Sequence, residues 1–248
     1  MSVIEKVREK NPLIHHLTNQ VVMNFTANGL LAFGGLPIMA KEQLEASDMA
    51  SIADGVLINI GTMTQFDLEA FLLAGKKANE RNIPVVLDPV GVAATSFRKR
   101  AVTKLLDEVN FTVIKGNAGE IAHLVGVNWK TKGVESADGD RKQLEQIALQ
   151  VAKKHKTIAI ITGEVDVISD GTVVKENESG HIMLTKITGA GCLLGSIITA
   201  CLAVGDNPLA DSFEAVSFYG EAAERAVKHP GVNGTGTFIP YFLDELQR

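Results

Sequence analysis

Residues 186–204 read Lys-Ile-Thr-Gly-Ala-Gly-Cys-Leu-Leu-Gly-Ser-Ile-Ile-Thr-Ala-Cys-Leu-Ala-Val. Thr188, Gly189, Ala190 and Gly191 make a small, bare turn, and the run from Cys192 to Val204 predicts one buried helix after it. Glycine lets the backbone turn sharply and lets another group approach it closely. The first amides of a helix lack intrahelical partners, and the helix dipole places partial positive charge there. Such a turn binds anions, phosphate above all. Cys192 stands at its mouth, where the same charge predicts a thiol of lowered pKa. Taken alone, the stretch reads equally well as a glycine-rich β-to-α turn with a small cysteine packed beneath it. The rest of the chain decides between the two.

Working outward, short apolar strands alternate with helices. Gly55-Val-Leu-Ile-Asn-Ile60 ends at Gly61, Pro84-Val-Val-Leu87 at Asp88, Phe111-Thr-Val-Ile114 at Lys115-Gly-Asn117, and Thr157-Ile-Ala-Ile-Ile161 at Thr162-Gly163. Helices are predicted between them over about 41–53, from Thr64, and over about 96–109, 118–125 and 141–154. Before this series, Pro12–Leu17 reads as a strand, Val21–Ala32 as a helix and Ile38-Met-Ala40 as a brief strand. After it, 165–174 reads as a hairpin turning at Ser169-Asp-Gly171. Two further helices, about 208–228 and 238–247, close the chain, and 128–140 reads as a polar loop.

This alternation specifies an α/β fold: a single three-layer α/β/α domain over 1–248 with a central, mostly parallel sheet and no separate lid domain. Ligands of such folds gather beyond the carboxyl ends of the strands. One edge there collects an anion turn with a thiol, two carboxylates (Asp88 and Glu120) and a cation, Lys115. That inventory suits phosphoryl transfer. Carboxylates hold the hydrated Mg²⁺ that accompanies nucleotide phosphates. No Gly-x-x-x-x-Gly-Lys-[Ser/Thr] occurs, which excludes a P-loop enzyme.

The bulk properties agree. Acidic residues outnumber basic ones, 29 to 24, so no nucleic-acid partner is expected. No apolar run reaches the roughly 18 residues that span a bilayer. The N-terminus is charged and amphipathic, unlike a secretory signal, and a cytoplasmic location is expected. Cys192 and Cys201 would lie about 13 Å apart along one helix, too far to pair.

Five blocks carry a resemblance to a known family. Thr-Gly-Ala-Gly at 188–191 resembles the anion-hole turn of the ribokinase-like superfamily, and Asn117-Ala-Gly-Glu120 resembles its Asn-x-x-Glu magnesium motif. Most of that superfamily has aspartate where this chain has Cys192. Cysteine there, with His15-His-Leu-Thr-Asn19-Gln-Val, Leu87-Asp-Pro-Val-Gly91 and Thr162-Gly-Glu-Val-Asp166, resembles the hydroxyethylthiazole kinases from about residue 11 to 243. The resemblance implies phosphorylation of 4-methyl-5-(2-hydroxyethyl)thiazole by ATP with Mg²⁺, in thiamine salvage, by a homotrimer with active sites between subunits. It implies that Asn19, Val21, Met39, Gly61 and Gly189 touch the thiazole, and that Lys115, Asn117 and Thr162 serve ATP. It further implies that Asp88 and Glu120 serve Mg²⁺, that Gly189, Ala190 and Gly191 form the anion hole, and that Cys192 faces the hydroxyl. Lys115 departs from the arginine of many relatives and loses the planar fork.

Plainer readings stand beside these. Asp88 before Pro89 can cap a turn, and Glu120 can be an exposed acid of a first helical turn. Asp166 and Asp170 read as hairpin residues, His15 and His16 as structural side chains, and Met39 as core. Gln20, Asn24 and Asn28 fall on one helical stripe, facing either solvent or a subunit contact. A pyrimidine or pyridoxal kinase of the same superfamily, or a catalytically silent ligand-binding homologue, would share much of this pattern. Cys192 argues against the first, and the intact Asp88, Asn117 and Glu120 against the second.

Overall fold

A computed structural model describes residues 1–129 and 137–248. Among the described residues eight strands form one sheet in the order β2-β1-β3-β4-β5-β6-β7-β8. The strands are β1 Leu13–Leu17, β2 Leu36–Ile38, β3 Gly55–Asn59, β4 Val85–Asp88, β5 Val113–Asn117, β6 Ile158–Thr162, β7 Asp166–Ser169 and β8 Val174–Asn177. The first six run parallel, and β7 and β8 close one edge as the expected antiparallel hairpin.

The helices are α1 Val3–Lys10, α2 Met23–Phe33, α3 Ala46–Ile52, α4 Asp67–Glu80, α5 Ser96–Glu108, α6 Ala118–Leu124, α7 Ala137–His155, α8 Ala190–Val204, α9 Pro208–Val227 and α10 Thr235–Glu245. Alternate strand residues sort them into two layers, as the period of two requires. Leu57, Val86, Val113 and Ile160 face a core shared with α1, α2, α8, α9 and α10. Val56, Ile58, Leu87, Ile114 and Ile161 face the other core, shared with α3 to α7. Since the central strands are buried on both faces, they read as continuous apolar runs.

Two expectations shift, and one stretch without a reading takes shape. The brief strand predicted at 38–40 lies at Leu36–Ile38, where β2 is an edge strand that accommodates Pro37 without losing a ladder bond. The helix predicted from 141 begins at Ala137, inside the stretch expected to be a polar loop; of that loop, 130–136 lie outside the described residues. Residues Ile182–Lys186, before the glycine turn, form a 3₁₀ helix.

Candidate active site

The apolar helix predicted after the glycine turn is α8, packed over the middle of the sheet against β1, β3 and β4. Its N-cap, Gly189, has φ +93°, and a Cβ there would lie 2.7 Å from Val22 Cγ1, so only glycine fits. The first intrahelical bond runs from the Leu193 N–H to the Gly189 carbonyl. The amides of Ala190, Gly191 and Cys192 precede that bond and point out of the helix end. The Tyr219 hydroxyl donates to the Ala190 carbonyl at 2.7 Å and anchors the turn from α9.

Below the turn, parallel register sets polar strand ends side by side. Asn59 of β3 is paired with Asp88 of β4, and Asn117 of β5 with Thr162 of β6. Asn59 is the hub. Its Nδ2 donates to Asp88 Oδ2 at 2.8 Å and to Cys192 Sγ at 3.2 Å. Its Oδ1 accepts from Asn19 Nδ2 at 3.0 Å and from the Gly61 N–H at 2.9 Å. Asn19 Nδ2 also donates to Cys192 Sγ, at 3.4 Å. Gly61 lies hard against Asn19, whose Cβ would be 2.8 Å from any Cβ added there. Asn59 has no place among the expected site residues. Its signal was available: a lone amide ending an apolar strand of four.

Lys115 is buried at 3% exposure, and its Nζ donates to Asp88 Oδ2 at 3.0 Å and to the Gly191 carbonyl at 2.8 Å. Burial works against its charge, but the Asp88 carboxylate and then Cys192 hold its pKa above the ordinary value. The ammonium thus supports the turn from below, at the start of α8 where the phosphates are expected.

Burial pushes the Cys192 thiol upward, and Asp88 adds to the effect against the smaller pull of Lys115. The lowered pKa expected from the helix end is therefore corrected. The dipole acts on a half-buried thiol beside a carboxylate, and these raise its pKa above the ordinary thiol value, so Cys192 stays protonated at neutral pH.

Glu120 and Asn117 form a capping box at the start of α6: the Glu120 N–H donates to Asn117 Oδ1 at 3.0 Å, and the Asn117 N–H to Glu120 Oε2 at 2.9 Å. The i, i+3 spacing has this structural reason in any case. The second oxygen, Oε1, accepts from the Gly91 N–H at 2.8 Å and ties α6 to the loop after β4. Glu120, Asn117, Gly91, His123 and Trp129 line a cavity of about 600 Å³. Thr162 Oγ1 donates to the Gly116 carbonyl at 3.3 Å. Met39 is half-buried past the end of β2, whereas Val21 is 69% exposed. Gln20, Asn24 and Asn28 are all exposed on this chain.

The structural readings of the histidines and the hairpin acids hold. His16 bonds the Ile14 carbonyl and Ser196, and His15 bonds the Ala40 carbonyl. Asp166 accepts from the Gly163 N–H and Asn177, and Asp170 from the Thr172 and Val173 amides.

The profile of the hydroxyethylthiazole kinase family matches residues 4–248. Hydroxyethylthiazole kinase 1 of Oceanobacillus iheyensis is 54% identical over 249 aligned positions, covering 100% of this chain and 96% of that protein. The solved structure of a hydroxyethylthiazole kinase protein from Pyrococcus horikoshii superposes with a TM-score of 0.89 at 37% identity, covering 99% of this chain and 91% of that one. A ribokinase-like superfamily protein from Enterococcus faecalis shares the fold, with a TM-score of 0.64 at 13% identity over 95% of this chain and 88% of its own.

Proposed function

The chain belongs to the hydroxyethylthiazole kinase family, and on that premise we propose how its site moves the γ-phosphoryl group of ATP to the primary hydroxyl of hydroxyethylthiazole. One observation carries the assignment of roles. The free amides of Ala190, Gly191 and Cys192 lie next to a neutral thiol, which is itself fixed by Asn19 and Asn59. An alcohol seated at Cys192 has its oxygen beside a helix N-terminus whose free amides suit a phosphate.

The transferred group passes through a loose transition state with charge on its equatorial oxygens. The α8 amides are oriented before the reaction and stabilise that charge without rearranging. Lys115 holds the Gly191 carbonyl and so keeps the amides aimed. The bond from phosphorus to the ADP oxygen breaks as the bond to the alcohol oxygen forms, and the hydroxyl proton passes to an oxygen of the transferred phosphoryl group and from there to water. Because the nucleophile need not be strong, a protonated Cys192 suffices to orient the hydroxyl, with no covalent phosphothiol.

Asp88 and Glu120 would hold Mg²⁺. Their donor chemistry fits: hard oxygens on two carboxylates, and an Asp88 Oδ1 left clear by the Lys115 and Asn59 bonds; burial first, and the Glu120 charge after it, raise the pKa of Asp88, which the opposite charge of a cation would offset. Among the described residues no group of three or more metal-ligating side chains occurs. That suits an ion which keeps most of its water and binds through one or two carboxylates plus phosphates. When bound, Mg²⁺ would neutralise charge on the phosphates. Asn117 and Thr162 flank the ATP side, and Asn19, Val21, Met39, Gly61 and Gly189 the thiazole side.

The exposure of Val21, with Phe66 at 84% and Leu44 at 91%, supports self-association; the homotrimer, with a partner covering the thiazole side, is what the family resemblance implies. Sedimentation at working concentration tests this; a monomer active per chain would sink it. Among the described residues no helix is long and apolar enough to cross a membrane. Release of ADP that depends on added hydroxyethylthiazole tests the kinase assignment.

A further inference from the structure

Arg98 makes an arrangement that no site motif required. It is the third residue of α5, where its N–H donates to the N-cap side chain of Thr95 at 3.2 Å. That fixes the helix start and directs the guanidinium back over the strand ends. Nη1 donates to the Ile60 carbonyl at 3.0 Å and to the Val90 carbonyl, while Nη2 donates to the Gly61 carbonyl. Three carbonyls from two loops converge on one planar fork. Among the described residues no carboxylate forms an ion pair with it. Carbonyl oxygens gathered in this way repel one another unless a multivalent donor sits between them, and a guanidinium is the side chain whose rigid donors suit that task.

The two loops are the two halves of the site. Gly61 connects through its own N–H to Asn59, and from there to Asn19 and Cys192, where the alcohol is placed. Val90 precedes Gly91, whose N–H is held by Glu120 at the start of α6, on the phosphate side. Besides Arg98, the backbone link between the loops is a bond of 3.2 Å from the Ile60 N–H to the Asp88 carbonyl.

We propose that Arg98 is a positioning residue for phosphoryl transfer: its guanidinium sets the separation of the alcohol-side loop after β3 from the phosphate-side loop after β4. Each loop keeps its own ties to Asn59 or Glu120 without it. Each substrate can therefore still bind, while the distance between the reacting atoms loses its control. A displacement of about 1 Å commonly costs on the order of 10²-fold in rate. The effect belongs to kcat.

This rests on the kinase reading, and the test separates the two. Parent, Arg98→Met and Arg98→Lys are compared by steady-state phosphorylation of hydroxyethylthiazole with Mg-ATP, together with thermal melting and added methylguanidinium. Arg98→Met is expected to lose on the order of 10²-fold in kcat, with both KM values within a few-fold of the parent. Arg98→Lys should fall between, since an ammonium lacks the fork. Methylguanidinium should raise kcat for Arg98→Met and leave the parent unchanged. Parental kcat in Arg98→Met, or a loss confined to KM, overturns the proposal. So does a loss accounted for by a smaller folded fraction. If Arg98→Met does not fold, an intermediate kcat of a fully folded Arg98→Lys supports the proposal and a parental one overturns it. A parent that phosphorylates no thiazole alcohol overturns the kinase reading, and the positioning role with it.

Discussion

Lys115 and Asp88 form a buried ion pair, Nζ to Oδ2 at 3.0 Å, with the two side chains 3% and 2% exposed, directly beneath the turn that opens α8. Neither charge has water to fall back on. Lys115→Met, which leaves Asp88 as a buried unpaired carboxylate, should cost about 3–5 kcal/mol in urea unfolding. Adding Asp88→Leu to that variant should recover much of the loss, because the remaining charge is then gone. A Lys115→Met protein as stable as the parent would show that the pair is not formed.

Glu120→Gln should separate the two duties of that side chain. Glutamine has one acceptor oxygen where glutamate has two, so either the Asn117 or the Gly91 N–H loses its partner. The stability cost should be about 1 kcal/mol. The activity loss should be far larger, on the order of 10²-fold, if the charge also serves the phosphates. Asp88→Asn should lose activity similarly. Near-parental turnover in both variants at limiting Mg²⁺ would reduce the pair to caps and struts.

Cys192 should behave as a protonated, guarded thiol. Alkylation by iodoacetamide at pH 7 should be slower than that of a free thiol and should quicken as pH rises, because burial and Asp88 keep the thiolate from forming. Substrate should protect it. Cys201, fully buried on the same helix, should not react in the folded protein. Cys192→Ser should keep measurable activity. Fast labelling at pH 7, or a trapped phosphocysteine, would contradict the role given to it.

His16 should make the protein acid-sensitive. It is fully buried between the Ile14 carbonyl and Ser196, and burial lowers its pKa from 6.5 to about 4. Since the folded-state value is the lower one, the unfolded chain takes up a proton first as pH falls. The contribution is fully present above about pH 6.5, is lost progressively down to about pH 4, and has no slope below that. The span corresponds to about 3 kcal/mol at one unit per 1.36 kcal/mol. His16→Gln should flatten the stability profile in this window. His15, lowered by burial in the same direction, leaves part of the slope in place. An unchanged slope in His16→Gln would show that another group drives it.

Much of this was legible in the chain because parallel strands buried on both faces have no polar alternation to obscure their ends. Each apolar run stops at a charged or polar residue, such as Asp88 or Lys115, that is buried only with a partner, and those stops share one edge. The glycine turn was legible because few side chains fit where φ is +93° and Val22 lies so near. What stayed hidden depends on depth or on distant partners. The charge at a helix end is visible in a sequence, but the burial that reverses its effect on Cys192 is not. Nothing in the sequence says that Lys115 also holds Asp88 and the Gly191 carbonyl, because those partners lie 27 and 76 residues away. Arg98 looks like a solvated helix residue, since its partners are backbone carbonyls, which no side-chain pattern records. β2 was misplaced by two residues because its strand is short, lies at the edge and contains Pro37.

The central claim is that the site at the head of α8 phosphorylates the thiazole alcohol. Its most direct test incubates the purified protein with Mg-ATP and, separately, hydroxyethylthiazole, hydroxymethylpyrimidine and pyridoxal, then weighs the products by mass spectrometry and counts the ADP formed. The predicted result is hydroxyethylthiazole monophosphate with one ADP per phosphate transferred, and far less product from the other two alcohols. Phosphorylation of the pyrimidine or of pyridoxal alone, or no product from any of the three, would contradict it.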